Sequence, residues 1–168
     1  MSPRGKIPVL QDGALTLTES AAIVNHLAMR HGRDGARLMP ADAEGRARYD
    51  EWCFFIMTEL DATSLYVLRR HVGLPHIYGE SPEAVRAARA YFKRQAGSVA
   101  ASLGDGRPWL LGEAFSGADI LLATCLDWAA ASDLALPDGV LDYHARARAR
   151  PAYAAARQAN QAGHWTHR

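Results

Sequence analysis

The sequence predicts a mainly α protein: an all-helical domain at residues 42–168 preceded by a β-hairpin plus one helix at residues 1–31, an α+β arrangement across a linker at 32–41. Three observations predict it. Ser116 followed three residues later by Asp119 can form the reciprocal capping box that starts a helix, and from Ile120 to Trp128 the only charge is Asp127. A helix apolar nearly all round has to be surrounded by protein, so this one sits at the centre of a helical core. Apolar residues also recur at helical spacing from Asp42 to Val72 and from Pro82 to Leu103. Near the start, two short apolar runs flank Asp12-Gly13, which is a hairpin signal.

Taken in order, Ile7 to Leu10 and Leu15 to Leu17 are the strands of the hairpin. Thr18 is read as the cap of a helix from Glu19 to about Arg30, with Ile23, Leu27 and Arg30 at helical spacing and Gly32 in the stop position. A hairpin alone is marginal in water, so this one needs the helix packed against it. The run from His31 to Arg37 is glycine-rich, polar and aperiodic, which makes it a linker. Asp42 then begins a long helix that reaches Val72 before Gly73 and Pro75 end it, with Tyr49, Cys53, Ile56, Leu60 and Val67 on one face. Ser81-Pro82-Glu83 opens the next helix, whose apolar side is Val85, Ala88, Phe92, Val99 and Leu103. Phe115 and Ile120 bracket the central cap as a hydrophobic staple. Past Pro137 an Ala/Arg-rich segment carries Val140, Leu141 and Tyr143, and Arg150-Pro151 separates it from a last helix. The tail from Gly163 is expected to fray.

Composition narrows the function classes. The 168 residues are 49% hydrophobic and 22% charged with a net charge of +1, so no basic surplus argues for nucleic acid. The two cysteines, Cys53 and Cys125, both fall inside apolar helical patterns, which fits buried thiols in a reducing cytoplasm. The first six residues lack the apolar run of a signal peptide, and no segment reaches the ~18 apolar residues of a membrane span. The expectation is a soluble cytoplasmic protein with neither nucleic-acid nor membrane partners.

Two motifs carry chemistry. If Pro8 is cis, the Val9 amide and carbonyl are left to pair with an extended peptide ligand; the plain alternative is a trans proline on an edge strand. Glu19-Ser20 opens a helix whose free amides and positive dipole end favour a carboxylate, with the serine hydroxyl to bond it and the glutamate to hold an ammonium group. Alone, that is an ordinary helix start. Together the motifs describe a slot for an amino-acid carboxylate at one end and a peptide backbone at the other.

Gly5-Lys6-Ile7-Pro8-Val9-Leu10, Asp12-Gly13, Leu17-Thr18-Glu19-Ser20 with Ile23, Phe115-Ser116-Gly117-Ala118-Asp119 and Arg150-Pro151-Ala152-Tyr153 resemble, in this order, the soluble glutathione transferase family. The resemblance covers essentially the whole chain. It implies an all-helical C-terminal domain at 42–168 and a partial thioredoxin-like, glutathione-binding segment at 1–31. Pro8 is similar to the family's cis-proline, Val9 to the residue whose backbone pairs with the cysteinyl part of glutathione, and Glu19 and Ser20 to the pair that grips the γ-glutamyl end. Lys6 is similar to a position near the glycyl carboxylate that varies within the family, and Ser116 to Asp119 resemble its structural cap. The implied co-substrate is glutathione, the implied partners are a small apolar electrophile and a second copy of the chain in a homodimer, and the implied role is detoxification.

One departure accompanies the match. Family members carry a Tyr, Ser or Cys that activates the thiol in a strand-helix-strand unit preceding the region matched by Lys6, and no residue before Lys6 fills that place. The expectation is therefore a site with binding residues and no catalytic one, from an N-terminally truncated frame or a shortened member. Function is read as a glutathione transferase, or a truncated relative that conjugates glutathione once the missing part is supplied; the alternative is a non-catalytic binding or assembly module of the same fold. The stripe Trp52, Phe55, Glu59, Thr63, Tyr66 and Arg70 would wall the electrophile pocket, or is a plain helix face. His71, His76, His144, His164 and His167 lack paired ligand spacing, so no metal is expected.

Overall fold

The computed structural model describes residues 5–32 and 37–162. β1 (Val9–Asp12) and β2 (Leu15–Thr18) pair antiparallel, from Val9 opposite Thr18 to Asp12 opposite Leu15. Their two-residue turn starts at Gly13, whose φ of +61° is the left-handed conformation a tight hairpin asks of its first position. The helix the hairpin needs is α1 (Ser20–His31), and the join is specific: Asp12 takes His26 Nε2 at 2.7 Å and Arg30 Nε at 2.9 Å. The His26 hydrogen bond, with help from Arg30, holds the Asp12 carboxyl below its ordinary value.

Two readings of this segment are corrected. Thr18 is the last residue of β2, and the N-cap is Glu19, whose side chain makes no capping bond. On α1 the core-facing residues are Ala21, Val24 and Ala28, whereas Leu27 is 37% exposed. The helix meets the helical domain on its small-residue face, which allows close approach.

Past the linker, Asp42 Oδ1 accepts the Gly45 amide at 2.8 Å and starts α2 (Ala43–Phe55). The helix runs on without a break through a π-helical stretch, Ile56–Leu65, a single turn, α3 (Tyr66–Leu68), and a second π-helical piece, Arg69–Gly73. Within the first π stretch the Thr63 hydroxyl donates to the Thr58 carbonyl at 2.7 Å and the Ser64 hydroxyl to the Glu59 carbonyl at 3.0 Å, each five residues back. Bonding at i→i+5 puts more residues into each turn, so the face drifts from its α-helical phase. Tyr49, Cys53, Ile56 and Leu60 are buried as the spacing predicts, but Val67 is only half-buried, and Leu65 and Leu68 take the core positions.

The short α4 (Pro75–Tyr78) leads to α5 (Pro82–Ser102), α6 (Gly117–Ala131), α7 (Asp138–Arg148) and α8 (Pro151–Ala162). α6 is the buried centre, with Leu122, Leu126 and Ala129 against Ile56 and Leu60, Phe92 and Val99, and Val140 and Tyr143 of its neighbours. Its start is glycine for a steric reason: a Cβ on Gly117 would meet the Tyr49 hydroxyl at 2.4 Å and Val24 Cγ1 at 2.6 Å. Three elements converge there, and Tyr49 also donates to Asn25 Oδ1 of α1 at 2.7 Å. The Gly117 amide donates to the Leu38 carbonyl at 2.7 Å, which pins the linker's end to the same spot.

The capping box is present, and its carboxylate does more than cap. Asp119 is fully buried; Oδ2 accepts the Ser116 amide at 2.7 Å and the Ser116 hydroxyl at 2.6 Å, while Oδ1 accepts the Leu110 amide at 3.0 Å and the Tyr143 hydroxyl at 2.7 Å. One carboxylate thus ties α6 to the loop before it and to α7. Asp127, one face further along, accepts from Tyr153 of α8 at 2.6 Å and lies 2.8 Å from His144 Nε2 of α7. The fraying expected from Gly163, with His164 and His167, and linker residues 33–36 lie outside the described residues.

Candidate functional site

The register of the hairpin assembles the slot. Because Val9 stands opposite Thr18, the next two residues after the strand, Glu19 and Ser20, emerge beside the Pro8-Val9 end of β1. Adjacent strands lie about 4.8 Å apart, so the Val9 backbone and the start of α1 share one small volume. The Ile7-Pro8 peptide bond is cis, the alternative to the plain trans edge-strand proline. Among the described residues the sheet has only two strands, so the other edge of β1 carries no strand pairing.

Glu19 holds the site's most unusual backbone, φ 70° and ψ 121°, which side-chain-bearing residues seldom adopt. Such strain persists only where surrounding structure fixes it, and it concentrates where a ligand is bound. It turns the chain abruptly from strand to helix, and the Ile23 amide already bonds the Glu19 carbonyl at 3.0 Å. The first amides of α1 then point out of the helix with its positive dipole end behind them, a ready seat for a carboxylate.

The pocket stripe divides into separate places. Trp52 and Phe55 stack edge to face at 5.6 Å, and they border clefts of about 600 Å³ and 530 Å³ together with Arg48 and Arg107. Trp52 lines both clefts, Phe55 the second; neither cleft contains Val9, Glu19 or Ser20. Glu59 accepts the Tyr91 hydroxyl of α5, and Thr63 is bonded back into its own helix. Only Tyr66 and Arg70 join the slot's side of the molecule: Lys6 Nζ donates to the Tyr66 hydroxyl at 3.1 Å, and Arg70 lies 5.1 Å from the Tyr66 ring centre. The π-helical stretch between Phe55 and Tyr66 explains the division, since it breaks the α-helical phase on which the single stripe depends.

Electrostatics separate the reactive candidates. The Lys6 hydrogen bond, with Arg69 and Arg70 nearby, holds the Tyr66 phenol below its ordinary value. Burial pushes the Cys53 thiol up to about 11 and raises Cys125 further, so neither is a thiolate near neutral pH. Among the described residues no cluster of His, Cys, Asp or Glu could hold a metal ion, and no helix is long and apolar enough to cross a membrane. Sequence reasoning passed over Asp61, whose buried Oδ1 has no hydrogen-bond partner, and Arg69 and Trp128, which complete the surroundings of Tyr66. Adjacent Arg69-Arg70 was the available signal for the second; a lone acid in an apolar helix face was the signal for the first.

Comparison with known proteins identifies the family. Residues 1–35 match the family described as glutathione S-transferase, N-terminal domain, and residues 82–158 match glutathione S-transferase, C-terminal domain. The chain is 33% identical over 140 residues to glutathione S-transferase GstA of Escherichia coli O157:H7, covering 81% of this chain and 63% of that protein. It thus spans less than two thirds of that relative's length. Among solved structures it superposes on BphK, a bacterial glutathione S-transferase in a ternary complex, with a TM-score of 0.83 and 31% identity over 95% of this chain and 76% of that one. A sphingomonad glutathione S-transferase complexed with glutathione gives a TM-score of 0.82 and 30% identity over 96% of this chain and 77% of that one. With both domain families matched in order and the fold shared along nearly its full length, the chain belongs to the glutathione S-transferase family.

Proposed function

We propose that this chain binds glutathione along Val9, Glu19 and Ser20 and, as part of a glutathione transferase, directs its thiol at a small electrophile held near Tyr66 and Arg70. One observation carries the reading: the hairpin register brings the Val9 backbone beside a strained Glu19 that opens a helix of 12 residues. A strand edge beside a helix start supports a slot for a tripeptide with an amino-acid end. Pro8 shapes the strand's approach, and Lys6 reaches from the slot to Tyr66. The reading assigns no group at the slot to activate the thiol. The reading carries with it a cytoplasmic homodimer.

Retention on immobilised glutathione tests it. The chain should be retained and released by free glutathione, and Ser20→Ala should weaken retention several-fold by removing the hydroxyl at the carboxylate seat. Passage through the resin without delay would favour the alternative, a binding or assembly module of the same fold.

A further inference from the structure

Two consecutive helices of the helical domain are held in place by different means. α7 buries Val140, Tyr143, His144 and Ala147, and its Tyr143 and His144 each bond a carboxylate of α6. α8 buries almost nothing: of residues 151–160, whose burial is described, all are exposed except Tyr153, which is half-buried. A helix of 12 residues without a packed face is marginal in water, so α8 depends on whatever ties it down.

That tie is one side chain. The Tyr153 hydroxyl donates to Asp127 Oδ2 at 2.6 Å, while His144 of α7 meets the other oxygen of the same carboxylate at 2.8 Å. Arg148 of α7 lies beside both partners, 3.8 Å from Asp127 Oδ1 and 5.9 Å from the Tyr153 ring centre. Burial, and after it the bond to Asp127, raise the Tyr153 phenol against the pull of Arg148 and Arg157, so the hydroxyl keeps its proton and remains a donor. A hydrogen bond to a carboxylate is roughly twice as strong as a neutral one, enough for a single contact to seat a short helix.

The residues just before α8 form a pivot. The Arg150 guanidinium stacks on the corner, 3.7 Å from the Phe115 ring centre and 5.6 Å from that of Trp109, and the Arg150 carbonyl accepts the Tyr153 amide at 3.0 Å. Pro151 is the first helical residue, and its ring disfavours helical backbone at Arg150, which keeps α8 from continuing α7. Arg150-Pro151-Ala152-Tyr153 thus holds an anchor, a break and a latch within four residues.

We propose that α8 is a hinged arm, which opens as a unit about Arg150-Pro151 while α5, α6 and α7 stay folded, and that the Tyr153–Asp127 hydrogen bond is the latch that closes it. Opening bares one oxygen of Asp127 and leaves Asp119 undisturbed, because the donors to Asp119 come from α7 and from the segment before α6. The arm stands apart from the glutathione slot, and its behaviour does not depend on what the slot binds.

Hydrogen–deuterium exchange of the full chain, resolved peptide by peptide, tests this in the parent, Tyr153→Phe and Asp127→Asn. The phenylalanine keeps the ring beside Arg148 and removes only the hydroxyl. In the parent, α8 amides should exchange more slowly than in an unstructured chain but about tenfold or more faster than those of α6 and α7. Tyr153→Phe should speed α8 exchange about tenfold and leave α6 and α7 within about twofold of the parent. Asp127→Asn weakens the acceptor from the other side and should speed α8 in the same sense. Protection of α8 equal to that of α7 in the parent, or exchange of the two helices together, overturns the hinge. Exchange of α8 in the parent at the rate of an unstructured chain, or at an unchanged rate in both variants, overturns the latch.

Discussion

Two carboxylates enter the same core from facing helices and meet opposite surroundings. Asp119, at the start of α6, is saturated: four donors from three segments converge on its two oxygens. Asp61, in the π-helical stretch that packs against α6, is half-starved, with Oδ1 buried and unpartnered and burial raising its carboxyl above the ordinary value. The residue type is identical, so the difference lies in what surrounds each. A buried charge with complete hydrogen bonding organises structure, while one lacking partners costs stability. Fold specification is concentrated at the first of these places.

The largest effect should come from emptying the saturated site. Asp119→Ala strips acceptors from two amides and two hydroxyls at once, all four donors lying outside the α6 helix body, and should cost about 3–5 kcal/mol in urea unfolding. A cap alone is worth about 1 kcal/mol, so a loss that small would mean the Leu110 and Tyr143 bonds contribute little. Next is Gly117→Ala, beside it, where a methyl group would strike Tyr49 and Val24. About 3 kcal/mol is expected, with the Tyr49–Asn25 bond disturbed; an unchanged melting temperature would show that the three-helix junction yields freely. Tyr143→Phe removes one donor from Asp119 and should cost about 2 kcal/mol, leaving the cap intact. Burial, with Asp119 beside it, raises the Tyr143 phenol, so this bond is present at every pH below the tyrosine range.

The same contrast explains what was legible in the sequence. The Ser116–Asp119 cap, the Asp12-Gly13 hairpin and the cis Ile7-Pro8 bond are local: each needs only neighbours within a few residues, and each is where it was expected. Thr18 as cap failed because a strand partner, Val9, competes for it, and pairing is not visible within a short window. The pocket stripe failed to stay together because its spacing assumed α-helical phase through Ile56–Leu65, and nothing in those ten residues announces i→i+5 bonding beforehand. Thr63 and Ser64, whose hydroxyls reach five residues back, are the only local trace of it. Contacts across sixty residues, such as Lys6 on Tyr66, depend on how the hairpin docks and were beyond any periodicity argument.

The smallest effect has the opposite sign. Asp61 has its carboxyl raised by burial, so the fold favours the protonated acid and, between the unfolded value of 3.8 and the folded value above it, binds more protons than the unfolded chain. Its contribution is therefore most favourable below pH 3.8 and is lost as pH rises through the folded value. Asp61→Asn resembles the protonated form at every pH. The variant should match the parent below the ordinary carboxylate range and exceed it by about 1 kcal/mol at neutral pH, in unfolding curves run in parallel. Carboxylates such as Asp12, held low by partners, lose their stabilisation as the solution is acidified, but they do so equally in both proteins and cancel in the difference. A neutral-pH gain that persists undiminished into acid would trace to packing rather than charge. No gain at any pH would mean that the buried oxygen finds a partner in solution, and the two carboxylates would then differ only in who supplies the donors.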